Sequence, residues 1–250
     1  MTESPNHFGG KQPLDHLVEA RRKGKIASSE IHGAELPGHY NATADSAKDT
    51  AFILVVLWTL FAEIGFPPEK LHWFLVVFLF GFLLWKTGRS AILGWQRLER
   101  LHRLIEEERW EIEHHRSQEK EELKALYAAK GFSGKLLDEV VEVLMADDNR
   151  LLQEMLEEEL GLNLESYEHP LKQASGAFIG VIGTSIILSF AFFWLPVWGT
   201  YLMAAFVIAI SAGTTAQLEK NRRIPAIIWN LAAAALAAGS AYFLGQVLFV

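Results

Sequence analysis

Two patterns divide the chain: stretches in which nearly every position is apolar, and stretches in which apolar residues recur at helical spacing among charges. The first apolar run, residues 51–66, is interrupted by Glu63 and closed by Gly65, Pro67 and Pro68. It is short for a span of about 20 residues, so its helix is expected to begin nearer Asp45. The second run starts at Leu71, stays apolar to Trp85 and turns amphipathic through Lys86, Arg89 and Trp95. With no strong breaker beyond Gly88 and Gly94, it predicts one long helix that leaves the membrane and ends near Lys130, where Gly131 supplies a C-terminal stop. Ser133 is the expected cap of a second amphipathic helix, 134–146, with Leu137, Val140, Val141 and Leu144 on one face. Asp147 or Asp148 caps a third, 149–160, stopped by Gly161, in which Met155 and Glu159 share a face. Three further spans follow His169 and Pro170, at about 173–195, 201–218 and 224–250.

The expected fold is therefore an all-α membrane protein: five transmembrane helices, with a cytoplasmic three-helix domain between spans two and three. Its parts are an N-terminal arm (1–47), spans one and two (48–95), the helical domain (96–168) and spans three to five (169–250). Within the arm, residues 14–25 read as a short basic helix. Residues 31–40 read as a loop, with His32 and His39 as ordinary loop histidines. Loop charge sets orientation. Arg21, Arg22, Lys23 and Lys25, the helical domain, and Lys220, Arg222 and Arg223 carry the basic residues, whereas 67–70 and 196–200 carry one lysine and none. The N-terminus and helical domain are thus expected in the cytoplasm and the C-terminus outside, with Trp73, Trp194 and Trp198 in an outer belt. The spacing of Gly176 and Gly180, and the small-residue stretch 231–241, suit close helix packing and a homodimer.

Composition sharpens this division. Half of the 250 residues are hydrophobic, yet the net charge is −7, because the charges crowd into the arm and 97–172. No cysteine is present, so thiolate ligands and disulfides are excluded. The N-terminus shows no basic segment followed by an apolar core, so no cleavable signal peptide is expected, and a bacterial inner membrane is the simplest location. No nucleophile–base pair or phosphate-binding loop marks an enzyme, no nucleic-acid partner is expected, and no tightly bound cofactor is implied.

The chemistry concentrates in residues 106–127, EEERWEIEHHRSQEKEELKALY. At about 100° per residue, Glu108, Glu111, Glu119 and Glu122 fall on an arc of about 80° with His115 at its middle. Arg116, Lys120 and Lys124 point elsewhere. The pairs Glu108/Glu111 and Glu119/Glu122 are like-charged at i,i+3, which is unfavourable in water. Such a face suits a metal ion or a basic partner, and an ordinary solvated acidic face is the plain alternative. On one straight helix Glu108 and Glu119 lie about 16 Å apart, which implies two or more ions.

The stretch ERWEIEHHRSQEKEELKALYAAKGFSGKLLDEVVEVLMADDNRLLQEMLEEELGL, with the later HPLKQA and RRIPAIIWNLAAAALAAGSAYFLG, resembles the vacuolar iron transporter family of iron and manganese transporters. The resemblance covers about Trp95 to the C-terminus. It implies that Glu108, Glu111, Glu119, Glu122, Met155 and Glu159 collect Fe2+ or Mn2+, with His115 a candidate extra ligand. It further implies export of these ions from the cytoplasm by proton antiport, for iron and manganese homeostasis. Carboxylate oxygens suit both ions, and a thioether favours the softer iron.

The first two spans depart from the family. No Asp-Gly motif opens span one, where Asp49 before Thr50, Ala51 and Phe52 is the nearest stand-in. Span two has no carboxylate. An ion path through a bilayer needs ionisable groups facing inward, and Asp49 and Glu63 are the candidates. A membrane-anchored sensor or buffer that binds metal without transport is the alternative. A structural protein whose acidic helix meets a basic partner ranks third.

Overall fold

The computed structural model describes Val18 and residues 38–162, 168–195 and 198–249. It divides the chain into two compact units, one of residues 1–34 and 96–167, the other of 35–95 and 168–250. The basic helix expected at 14–25, apart from Val18, and most of the 31–40 loop with His32 lie outside the described residues.

In the second unit, α1 (Gly38–Glu63) is followed by the first part of α2 (Pro68–His114), then α6 (Pro170–Trp194), α7 (Gly199–Leu218) and α8 (Arg223–Phe249). Helix α1 begins before Asp45 and includes His39 and Tyr40, so the loop expected there is corrected. The extra turns are stabilised by α6. Glu168, just ahead of α6, accepts the His39 backbone N–H at 2.9 Å and pairs with His39 Nδ1 at 2.6 Å, and Lys172 Nζ donates to the same carboxylate at 3.0 Å. Pro170 opens α6 behind the cap His169, whose ring accepts from the Leu171 N–H.

Helices α1 and α6 run parallel in near backbone contact. A Cβ at Gly176 would strike the His39 carbonyl, and one at Gly180 the Thr43 carbonyl. The pair Gly176/Gly180 therefore serves packing inside the chain, and does not supply a free dimer face. Thr43 Oγ1 lies 2.8 Å from the His39 carbonyl oxygen and 2.9 Å from that of Gly176. Ala47, Ala51 and Leu54 of α1 meet Leu188, Ala204, Val207 and Ile208 in one apolar cluster.

Among the described residues, four helices are long and apolar enough to cross a membrane: most of α2, and α6, α7 and α8. Helix α1 falls outside that group because every 18-residue window in it contains Lys48 and Asp49, joined by Asp45 or Glu63. Its polar residues Asn41, Ser46, Thr50 and Thr59 are nonetheless buried. A helix lined by its neighbours does not need an all-round apolar surface.

Within this unit the ends sort cleanly. Trp58 packs edge-on to Phe192 at 4.8 Å, Thr59 Oγ1 lies 3.0 Å from the Tyr201 hydroxyl, and Gln246 hydrogen-bonds Glu63. The C-terminal ends of α1, α6 and α8 therefore lie with the N-terminal end of α7. At the other end, Ser90 of α2 donates to the Gln173 carbonyl at 3.1 Å, and Lys86 pairs with Asp49. Trp73, Trp194 and Trp198 are all exposed.

In the first unit, the last part of α2, α3 (Arg116–Ala129), α4 (Gly134–Met145) and α5 (Asp148–Glu154), which continues as a π-helical turn (Met155–Glu159), enclose a core of Leu101, Ile112, Leu123, Val141, Leu151 and Met155 with neighbouring leucines. Asp147 is the cap of α5, accepting the Arg150 N–H. Ser133 stands at the cap position of α4 without a side-chain hydrogen bond. The single helix expected to run to Lys130 is corrected: it breaks at His115.

Replacing Gly180 by Val should lower the thermal midpoint of the purified protein, since its Cβ meets backbone atoms that cannot step aside. Overpacking of this kind costs about 1–3 kcal/mol. Gly183→Val, whose Cβ would meet nothing within 4 Å, should leave the midpoint unchanged in the same detergent.

Candidate metal centre

Glu108 and Glu111 sit near the end of α2, Glu119 and Glu122 on α3, and Glu159 at the tail of the π-helical turn. The break that rearranges them is short. His115 leaves helical geometry (φ −125°, ψ 30°). Its N–H still reaches the Glu111 carbonyl at 2.7 Å, while its own carbonyl starts α3 by accepting from Gln118 at 2.7 Å and Glu119 at 3.2 Å. No glycine or proline forces this. Histidine and serine around Arg116 are middling helix formers, and Arg116 fastens the new helix to the α4–α5 corner. Its guanidinium donates to Asp148 Oδ1 at 2.5 Å and to the Met145 carbonyl at 2.6 Å. Ile112 before the break and Leu123 and Leu126 after it are buried, so bending wraps both apolar stripes around the same core.

One carboxylate oxygen from each of Glu108, Glu119 and Glu159 lies within 4.8 Å of the other two. The 16 Å separation of a straight helix, and the argument for a row of ions, is thereby overturned. An ion at the centre of an equilateral triangle of that side would stand about 2.8 Å (4.8 Å divided by √3) from each oxygen. Contraction by a few tenths of an ångström reaches the roughly 2.0–2.6 Å of divalent-ion–oxygen bonds.

The turn carrying Glu159 is widened: the Leu160 N–H bonds the Met155 carbonyl at 3.2 Å, an i→i+5 bond. Gly161 (φ +66°) then lets the Leu162 N–H reach the Leu156 carbonyl at 2.9 Å. Two contacts seat this segment on α3. The Tyr127 hydroxyl donates to Glu154 Oε1 at 2.6 Å, and Lys130 Nζ pairs with Glu158 at 2.7 Å. Met155, at the head of the turn, is fully buried in the apolar core, and Glu159, at its tail, joins the acids.

The cluster is dry and of one sign. Glu108, Glu119, Glu122 and Glu159 are each at most 4% exposed. Glu108 Oε1 is buried with no hydrogen-bond partner among the described residues. Burial first, and then Glu159, Glu111, Glu122 and Glu107, push the Glu108 carboxyl up to about 9. Burial and then Glu108, Glu122 and Glu111 push Glu119 up to about 9. Glu159 is also raised well above the usual carboxylate range, by burial and then by Glu122. Glu159 and Glu122 share a hydrogen bond, which requires a proton on one of the two. Glu111, half-buried, acts on the cluster through its charge. The candidate extra ligand His115 stands at the break, with its ring edge-on to Trp110 at 5.4 Å.

Burial and mutual repulsion thus favour the protonated forms of Glu108, Glu119 and Glu159, and a cation entering the cluster would have to displace those protons. The groups most easily overlooked in the sequence are Arg116 and Tyr127. Their hydrogen bonds place the acids, and the signal available was a basic residue at the weakest helical point of the glutamate run.

In the second unit, Asp49 pairs with Lys86 Nζ at 2.6 Å and borders an open groove of about 250 Å³ with Phe52, Ile208 and Asn230. Glu63 accepts from Gln246. Asp49 on α1 stands 14 residues before Glu63, which at 1.5 Å per residue is about 21 Å. The two acids are separate sites.

Two outcomes follow for the acidic unit. A carboxyl raised in the folded state binds more protons folded than unfolded, so stability contributed by its protonated form is present at acid pH. That stability is lost as pH climbs from about 4.5 towards about 9. Amide exchange in α3 and the π-helical turn of metal-free protein should accelerate across that range, and saturating Mn2+ should suppress the increase. Calorimetric Mn2+ affinity should rise with pH, because binding releases protons, and should fall at least about tenfold in Glu119→Ala, which removes one of three anionic oxygens.

No curated protein matches the chain. The sequence model of the VIT family matches residues 96–246, a match that starts where α2 enters the acidic unit and covers more than half of the 250 residues. With that match, a buried three-carboxylate cluster and four helices fit to cross a membrane, the chain belongs to the VIT family of membrane metal-ion transporters.

Proposed function

We propose that this protein exports Fe2+ or Mn2+ from the cytoplasm in exchange for protons, serving iron and manganese homeostasis. The observation that carries the reading is the convergence of Glu108, Glu119 and Glu159 within 4.8 Å at negligible exposure. Hard oxygen donors in a water-poor site favour a small divalent cation over a solvated monovalent one. Glu122, hydrogen-bonded to Glu159, and Glu111, which acts on the cluster through its charge, border this set, with Met155 at the head of the turn that holds Glu159.

In this reading α1 is a fifth span, shielded by α2, α6, α7 and α8. The basic segments set the orientation, with the acidic unit and N-terminus in the cytoplasm, the C-terminus outside, and a bacterial inner membrane as the setting. The placement of Lys86, Lys172 and Arg223 at one end of the second unit, away from Trp73, Trp194 and Trp198, supports it. A homodimer is part of the proposal, supported by the exposed apolar side chains of α8 such as Ile228, Leu236 and Phe243.

One feature favours the alternative, a membrane-anchored metal sensor or buffer. Both candidate path acids are engaged, Asp49 by Lys86 and Glu63 by Gln246. Transport would have to separate Asp49 from Lys86 before a cation could use it.

Vesicles holding the full-length chain, supplied with Mn2+ or Fe2+ under a proton gradient, decide between the two. The transporter reading expects gradient-dependent flux that is lost in Asp49→Ala or in Glu63→Ala. Metal binding without flux in wild type would overturn it in favour of the sensor.

A further inference from the structure

The second unit contains a small, partly open cavity that none of the candidate path residues touches. It measures about 40 Å³ and is lined by Leu54 and Trp58 of α1, His72 of α2, Ser189 and Phe192 of α6, and Thr200 of α7, among others. By the same measure a single water needs roughly 10–15 Å³, so two or three fit. Apolar cavities stay dry; a cavity holds water when several polar groups face it. Here His72, Ser189 and Thr200 stand in the lining beside Leu75, Val76, Leu79 and Leu188. Thr200 is 4% exposed, and its Oγ1 is buried with no hydrogen-bond partner among the described residues. A buried hydroxyl left in that state is destabilising, and a water hydrogen-bonded to it would offset that cost.

We propose that this cavity is a hydrated proton-binding site of the membrane unit, with His72 as the protonatable group and Thr200 and Ser189 as the hydroxyls that hold its water. Histidine titrates near neutrality when unperturbed, and the remaining side chains around this one do not. The elements packed against it offer Leu54 and Trp58, Ser189 and Phe192, and Thr200. The rings of Phe192 and Phe193 stand 6.3 and 5.2 Å from the imidazole. Glu69 and Lys70 are the nearest charged residues along its own helix. Proton binding is a simple transfer: a hydronium O–H bond breaks as an N–H bond forms on the ring, leaving imidazolium and water. Release reverses it. Span two lacks a carboxylate, so His72 gives it an ionisable group facing the interior, as an ion path requires. The acidic cluster can then gather metal while a separate group accepts the exchanged proton. This assignment rests on the antiport reading for its role, and on the cavity for its existence.

The test uses the full-length chain in vesicles containing a pH-sensitive dye, with Mn2+ as the probe, comparing wild type, His72→Gln and Thr200→Val. Mn2+ affinity by calorimetry should be equal in all three. Proton movement accompanying Mn2+ should drop at least about tenfold in His72→Gln, as expected for loss of a positioned proton carrier, and its pH profile should shift in Thr200→Val. Equal proton movement in wild type and His72→Gln overturns the proposal. If wild type moves no Mn2+, the antiport reading fails by itself, and nitrogen-15 NMR of the wild-type ring decides the site. A ring that exchanges with water and titrates between about pH 5 and 8 sustains it; a ring fixed in one form across that range overturns it.

Discussion

Three carboxylates buried within 4.8 Å of one another repel, and the first unit is organised around holding them there. In water such groups would separate; a dry interior makes both the repulsion and the loss of solvation larger. Two ways of relieving this are open to the protein. Protons neutralise the acids, which is why Glu108 and Glu119 are pushed up to about 9, or a divalent cation takes the protons' place. In the proposed function, competition between the two would couple metal occupancy to pH before any membrane step.

Packing supplies the force that keeps the acids together. The leucine-rich core, the Arg116 grip on Asp148 and the Met145 carbonyl, and the Tyr127–Glu154 hydrogen bond are all outside the cluster and independent of its charge. The bent helix and the widened turn are two local irregularities, the break at His115 between Glu108 and Glu119 and the turn ending at Glu159. One brings Glu119 back towards Glu108; the other carries Glu159 to them while leaving Met155 in the core. Local distortions of this kind recur at functional sites because regular helices place side chains at fixed intervals.

The membrane unit solves a different problem. Its first helix carries too many charges to face lipid comfortably, and the bundle encloses it, with glycines of α6 admitting its backbone. Asp49 is held by Lys86 at one end, while His72, Thr200 and Ser189 border a cavity towards the other. Ionisable chemistry is thus present in this unit, although span two contains no acid.

The helical class, the position of most helix ends and the division into apolar and charged stretches were legible in the sequence, and Glu108, Glu119 and Glu159 stood among the six residues expected to hold metal. These features depend on period, composition and local stop signals, which act over a few residues. The break at His115 was not legible, because nothing in HHRS forbids a helix; the bend is imposed by Arg116 finding Asp148 and by Ile112 and Leu123 sharing a core. Nor was the use of Gly176 and Gly180, since a small-residue pair looks the same whether it meets another chain or, as here, α1. His39 read as a loop residue until Glu168, far along the chain, gave its helix a beginning. Sequence alone determined which residues are candidates for the chemistry, because their types and spacing are local properties. The tertiary structure decided that Glu108, Glu119 and Glu159 form one cluster, because only long-range packing energy can hold like charges together against their repulsion.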